Sequence, residues 1–154
     1  MKHSFLLAIF FLILASRCAS TDPQLFSLKE KAKNSGYPIF LELKNEPGKT
    51  TKNLQLSLKA QNLSIHSIQD LSVLLFAFDK QGLILIPETY KTPELICKFH
   101  TPIRVGATES CKLETYLYAV EYDKIKLQSI SFTWEDGTRH FINREDLEEI
   151  SEWK

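Results

Sequence analysis

A chain of 154 residues, 44% apolar and 11% aromatic, can bury one sizeable core and is too short for two ordinary domains. Basic and acidic residues balance at 19 each, and no basic run exceeds a scattered helix face such as "KEKAK". That composition argues against nucleic acid or an anionic membrane surface as a partner.

The first 20 residues stand apart from the core. Lys2 and His3 precede the apolar run "FLLAIFFLILA", residues 5–15, and small and polar residues follow it, which is the anatomy of an export signal over residues 1–20. A bilayer-spanning helix needs about 20 apolar residues, so the run predicts export rather than a membrane span. Removing it takes away two cations, Lys2 and Arg17, and leaves 17 basic against 19 acidic residues. Cys18 has two open fates. Cleavage before Thr21, or directly after Cys18, discards it. Cleavage before it makes it a lipid-bearing first residue, although Arg17 stands where such sites take a small side chain.

Residues 21–36 predict a short helix or linker. Asp22 is placed to cap, Pro23 suits the first turn, Leu25, Leu28 and Ala32 share a face, and Gly36 suits a stop. From Tyr37 the period changes to two. "IFLEL" alternates Ile39, Leu41 and Leu43; "NEPGKTTKN" supplies turn residues; "LQLSLKA" alternates Leu54, Leu56, Leu58 and Ala60. "LSVLLFAF" predicts a central strand, followed by an Asp-x-x-Gly turn at residues 79–82 and a second short strand in "LILI". Pro87, Pro93 and Pro102 around "ELICKF" predict a short edge strand between loops.

In "CKLETYLYAVEY", Leu113, Thr115 and Leu117 face one way, and Tyr116, Tyr118 and Tyr122 the other. Flat amphipathic rings in such a stripe suit a protein or glycan partner, and they equally suit packing along a sandwich edge. "IKLQSISFTWEDGTRHFI" predicts a long hairpin with a two-residue turn at Asp136-Gly137. Its apolar residues move from odd to even positions near Gln128, which predicts a bulge. The tail, residues 143–154, has Asn143 as a cap and Leu147, Ile150 and Trp153 on one face, predicting a short final helix.

These elements describe a mainly β protein: an immunoglobulin-like antiparallel β-sandwich of about seven strands over residues 37–142, with short N- and C-terminal helices. From "NLSIHSIQDLSVLLFAFDKQGLIL" onward the chain resembles the bacterial FxLyD-type domains. "QNLS" leads into a strand, Phe78 precedes the Asp79 turn, residues 105–109 resemble a Gly-containing turn, and "ISFTWEDGTRHFI" resembles the closing strand-turn-strand. The chain carries Leu75 and Ala77 where the family pattern has Phe and Leu. The resemblance implies an exported immunoglobulin-like module with no active site.

No nucleophile elbow, phosphate loop or paired-histidine metal motif is present. His66, His100 and His140 each read as surface residues, and Glu135, Asp136 and His140 gather at one turn. The reading is therefore a non-enzymatic binding or assembly module, with no catalytic residue, cofactor or metal, located outside the cytoplasm and membrane-bound only if Cys18 is lipidated. In an oxidising setting Cys97 and Cys111 predict a disulfide. The rival is a zinc set of Cys97, His100, Cys111 and His140 in a small accessory protein. Asn62-Leu63-Ser64 also matches a glycosylation sequon.

Overall fold

The computed structural model describes residues 23–47, 53–118, 121–143 and 151–153. The run expected to act as an export signal, Cys18, and Asp22, expected to cap the first helix, lie outside them. Among the described residues one helix, α1 (Pro23–Asn34), precedes eight strands: β1 (Ile39–Pro47), β2 (Asn53–Asn62), β3 (Ile68–Phe78), β4 (Leu95–Phe99), β5 (Thr108–Tyr118), β6 (Lys124–Trp134), β7 (Arg139–Asn143) and β8 (Ser151–Trp153).

Alternation decides which face each strand buries. Leu54, Leu56, Leu58 and Ala60 of β2 are buried while Gln55 and Lys59 are exposed; Leu71, Val73, Leu75 and Ala77 of β3 are buried, with half-buried neighbours between them. A strand whose apolar set lies on one face must cover it, and two sheets do so face to face. One sheet has the order β5-β2-β1-β8, the other β4-β3-β6-β7. Among themselves strands β1 to β7 pair antiparallel throughout, and β8 joins the free edge of β1 in parallel. This is an immunoglobulin-like sandwich whose fourth strand has joined the second sheet. The core runs through both sheets as one cluster, from Leu41 and Leu43 to Ile130 and Phe132, and includes Ala32 of α1.

The bulge expected near Gln128 is present: Ser129 pairs with Leu74 and Leu127 with Leu75, leaving Gln128 as the extra residue. Its Nε2 is buried and has no hydrogen-bond partner among the described residues. The Asp79 turn also forms, with its carboxylate oxygen accepting from the amides of Gln81 (2.9 Å) and Leu83 (2.8 Å).

Three expectations are corrected. Ser151–Trp153 is a strand, not the end of a helix, while residues 144–150 lie outside the described residues. The edge of β1 offers unpaired peptide groups, and a short extended segment satisfies them where an isolated terminal helix would not. "LILI" forms only a single bridge, Phe78 to Ile84, because the Asp79 turn consumes the residues a hairpin strand would need and Pro87 follows closely. The last hairpin has a three-residue loop rather than a two-residue one. Gly137 N donates to Trp134 O (3.0 Å), Trp134 N donates to Thr138 O (2.9 Å), and Gly137 takes φ +85°. That is a type I turn closed by a left-handed glycine.

Candidate binding surface

β4 and β5 are edge strands of opposite sheets, and Cys97 on one faces Cys111 on the other. Their sulfurs lie at disulfide distance and their Cα atoms 6.0 Å apart. Both side chains belong to the core. The zinc set is not assembled: the two sulfurs meet each other, and His140 sits on β7, separated from β4 by β3 and β6. Among the described residues no group of three His, Cys, Asp or Glu side chains is placed to hold a metal.

Further along β5 the ladder to β2 breaks. Glu114 pairs with Gln55 and Tyr118 with Asn53, so three residues of β5 stand opposite Leu54 alone. Thr115 fills the break. It is fully buried; its Oγ1 donates to Leu54 O (2.8 Å) and accepts from Leu117 N (3.2 Å). A hydroxyl thus replaces the lost ladder partners. The same break puts Tyr116 at φ +56°, in the left-handed region where a bulky residue is rare, and turns its ring outward.

Tyr116 is 42% and Tyr118 48% exposed, whereas Tyr122 is half-buried against the core. The three tyrosines therefore do not form one open stripe. Tyr122 lies beyond β5, where the chain turns toward β6, and its alternation with Tyr116 and Tyr118 does not persist through that turn. Tyr90, from the loop between β3 and β4, takes its place: its ring meets that of Tyr116 edge-on, centroids 5.5 Å apart. The loop is held locally, since the amides of Tyr90 and Lys91 both donate to Pro87 O (3.1 Å each). No sequence pattern links Tyr90 to Tyr116, because the contact depends on how a proline-rich loop crosses to the other sheet.

No protein-family profile matches the sequence, and no curated protein does. By fold the chain is similar to IrmA from Escherichia coli, with 10% identity, a TM-score of 0.47, and 74% of this chain and 90% of that one covered. It is similar to the structural-genomics target SoR45, with 10% identity, a TM-score of 0.43, and coverage of 73% and 84%. A third likeness is to a GH20 exo-β-N-acetylglucosaminidase from Vibrio harveyi, with 16% identity and a TM-score of 0.38. There the match covers 69% of this chain and 17% of the enzyme's. At these scores no function passes from those proteins to this one.

The opposite end of the sandwich gathers polar residues. His66, in the link between β2 and β3, lies 3.9 Å from Glu135 through its Nδ1, and its ring meets Trp134 at 5.9 Å. His140 stacks on Phe132 at 5.3 Å. The Asp136 carboxyl is held below its ordinary range, first by the hydrogen bond from the Thr138 amide (2.8 Å), then by the Thr138 side chain and by the nearby His66 and His140. His100 is an exposed residue after β4. Asn62 is not a glycan acceptor in this fold: it is fully buried, and its Nδ2 donates to His66 O (2.8 Å) and Ile103 O (2.9 Å). Its role is to tie two loops together, which the sequence signals only as a polar residue at a strand end.

Proposed function

We propose that the protein is an exported, non-enzymatic binding or assembly module, akin to the FxLyD-type domains, acting through the surface of its sandwich. The observation that carries this reading is Tyr116. The chain tolerates a left-handed tyrosine, braced from below by buried Thr115 and from the side by Tyr90, and leaves its ring open to solvent. Backbone strain of this kind costs about 1–3 kcal/mol and persists where the surrounding structure enforces it. Tyr118 extends the same exposed strand face, so Tyr90, Tyr116 and Tyr118 form the contact surface for a protein or glycan partner.

Export is supported by the apolar run at residues 5–15 and by the paired Cys97 and Cys111. Among the described residues no helix is long and apolar enough to cross a membrane. The intact mass of the protein from its host separates a soluble form starting near Thr21 from one starting at an acylated Cys18.

The contact surface is tested by placing a photo-reactive phenylalanine analogue at Tyr118 in the host and, as a control, at exposed Ser131 on β6. A discrete adduct from the first position and none from the second supports the reading. No adduct at Tyr118, or catalytic turnover that is lost in Glu135→Gln or His140→Ala, overturns it.

A further inference from the structure

Trp134, His66, Glu135, Asp136, Thr138 and His140 line a depression of about 490 Å³ at the end of the sandwich away from the tyrosine surface. Three chain segments build it: the end of β6 and its turn, the start of β7, and the link between β2 and β3. The turn is tied to that link by Glu135 N donating to Ser67 O (3.1 Å). Trp134 is half-buried above buried Phe132, whose ring it meets at 4.8 Å.

The rings do not form a flat platform. The His66 plane stands at 64° to that of Trp134, and the His140 plane at 68°, with His140 stacked on Phe132 at 11°. Trp134 is therefore one wall of a corner whose other walls are imidazoles. A sugar ring needs an open flat face; a compact soft cation fits among rings set at steep angles to one another. The charged lining agrees, since Glu135 and Asp136 contribute two carboxylates and no Lys or Arg lines the depression. Turn geometry accounts for one bond of Asp136, to Thr138, and leaves Glu135 exposed beside His66.

We infer that this depression is a binding site for an organic cation, a guanidinium or alkylammonium group held against Trp134 and countered by Glu135 and Asp136. The site is separate from the tyrosine surface and does not depend on it. Its cation has two sources, a small free amine or a basic side chain of a partner protein, and they share this chemistry.

The test is an NMR titration of the intact mature protein at pH 7.5, following the Trp134 indole N–H and the amides of Asp136, Gly137 and Thr138. The probes are N-acetylarginine methylamide, its uncharged citrulline counterpart, and tetramethylammonium. Saturable shifts with either cation and none with citrulline support the site. Tighter binding of the arginine probe assigns a protein side chain as the source, and tighter binding of tetramethylammonium a free amine. Glu135→Gln, a change at an exposed residue that should leave melting unaltered, weakens the bound cation about threefold, the worth of one partly screened charge pair. Equal shifts with citrulline, no shifts with either cation, or an unchanged affinity in E135Q overturn the proposal.

Discussion

Asn62 offers the sharpest test of how this sandwich holds its loops. Its side chain makes four hydrogen bonds: Nδ2 donates to His66 O and Ile103 O, and Oδ1 accepts from Ser64 N (2.9 Å) and Ser64 Oγ (2.7 Å). In Asn62→Ala both carbonyls still have a donor, Ile68 N for Ile103 and, for His66, the Ser64 hydroxyl, whose one proton no longer has Asn62 Oδ1 to bond, so the change removes bonds without orphaning those acceptors. At roughly 0.5–1 kcal/mol per bond the loss is about 2–4 kcal/mol. Asn62→Asp has the same shape but turns an oxygen toward two carbonyl oxygens in a fully buried position. At pH 7.5 that costs about 3–5 kcal/mol, the scale for an uncompensated buried charge.

Burial and the facing carbonyls raise the folded-state pKa of the new carboxyl above its unfolded value. The penalty is therefore complete above the folded pKa and shrinks as pH falls through it, when an O–H can again donate. Thermal melts of wild type, N62A and N62D at pH 7.5 and 4.5 read this directly, at about 3–5 °C per kcal/mol for a domain of this size. N62D should lie below N62A at pH 7.5 and recover toward wild type at pH 4.5. An N62D variant that melts within about 2 °C of wild type at pH 7.5, a small fraction of the expected loss, refutes the assigned bonding, as does a gap that widens on acidification.

Thr115→Val, which keeps the shape and removes the hydroxyl, should cost about 2–4 kcal/mol in urea unfolding because Leu54 O and Leu117 N lose their partner, while Thr115→Ser keeps most of the stability. Replacing Cys97 and Cys111 together by Ala should lower stability by about 3 kcal/mol, the entropy of closing a loop of this length, and reductant should have no further effect on that variant. Gln128→Met removes a buried amide nitrogen that has no partner among the described residues, and should be neutral or stabilising by about 1 kcal/mol in the same assay. The lowered pKa of Asp136 contributes stability present above the ordinary carboxylate pKa and lost as pH falls through the folded value. The stability difference between wild type and Asp136→Asn should therefore fade in acid, and an NMR titration should find Asp136 below the usual carboxylate range.

Alternation made the sandwich legible, because strands half-covered by a facing sheet must repeat every second residue. The Gln128 bulge was legible for the same reason: Ile125 and Leu127 share odd positions, Ile130 and Phe132 even ones, and both sets face the core. β8 left no such trace, since three residues carry no period and its pairing depends on the free edge of β1. Cys97 and Cys111 could be paired by compartment and count, but not their bridging of two sheets. The candidate surface was half legible. Tyr116 and Tyr118 stand out in sequence; Tyr90 joins them only through a loop path, and Tyr122 leaves them because the chain turns beyond β5. His66 and Trp134 meet across distant segments and share no spacing.

The two lateral seams of the sandwich are unequal. Along one, β4 and β5 are tied by the Cys97–Cys111 pair; along the other, β7 and β8 have no such tie among the described residues, and β8 is only three residues long. Local opening needs the least work where few buried contacts and no cross-link resist it. Transient excursions should therefore begin at β7 and β8 and spread inward, with amide hydrogen exchange fastest at that margin and slowest near Cys97 and Cys111. The tyrosine surface sits by the tied seam, so the domain can loosen at one margin while its contact face stays in register.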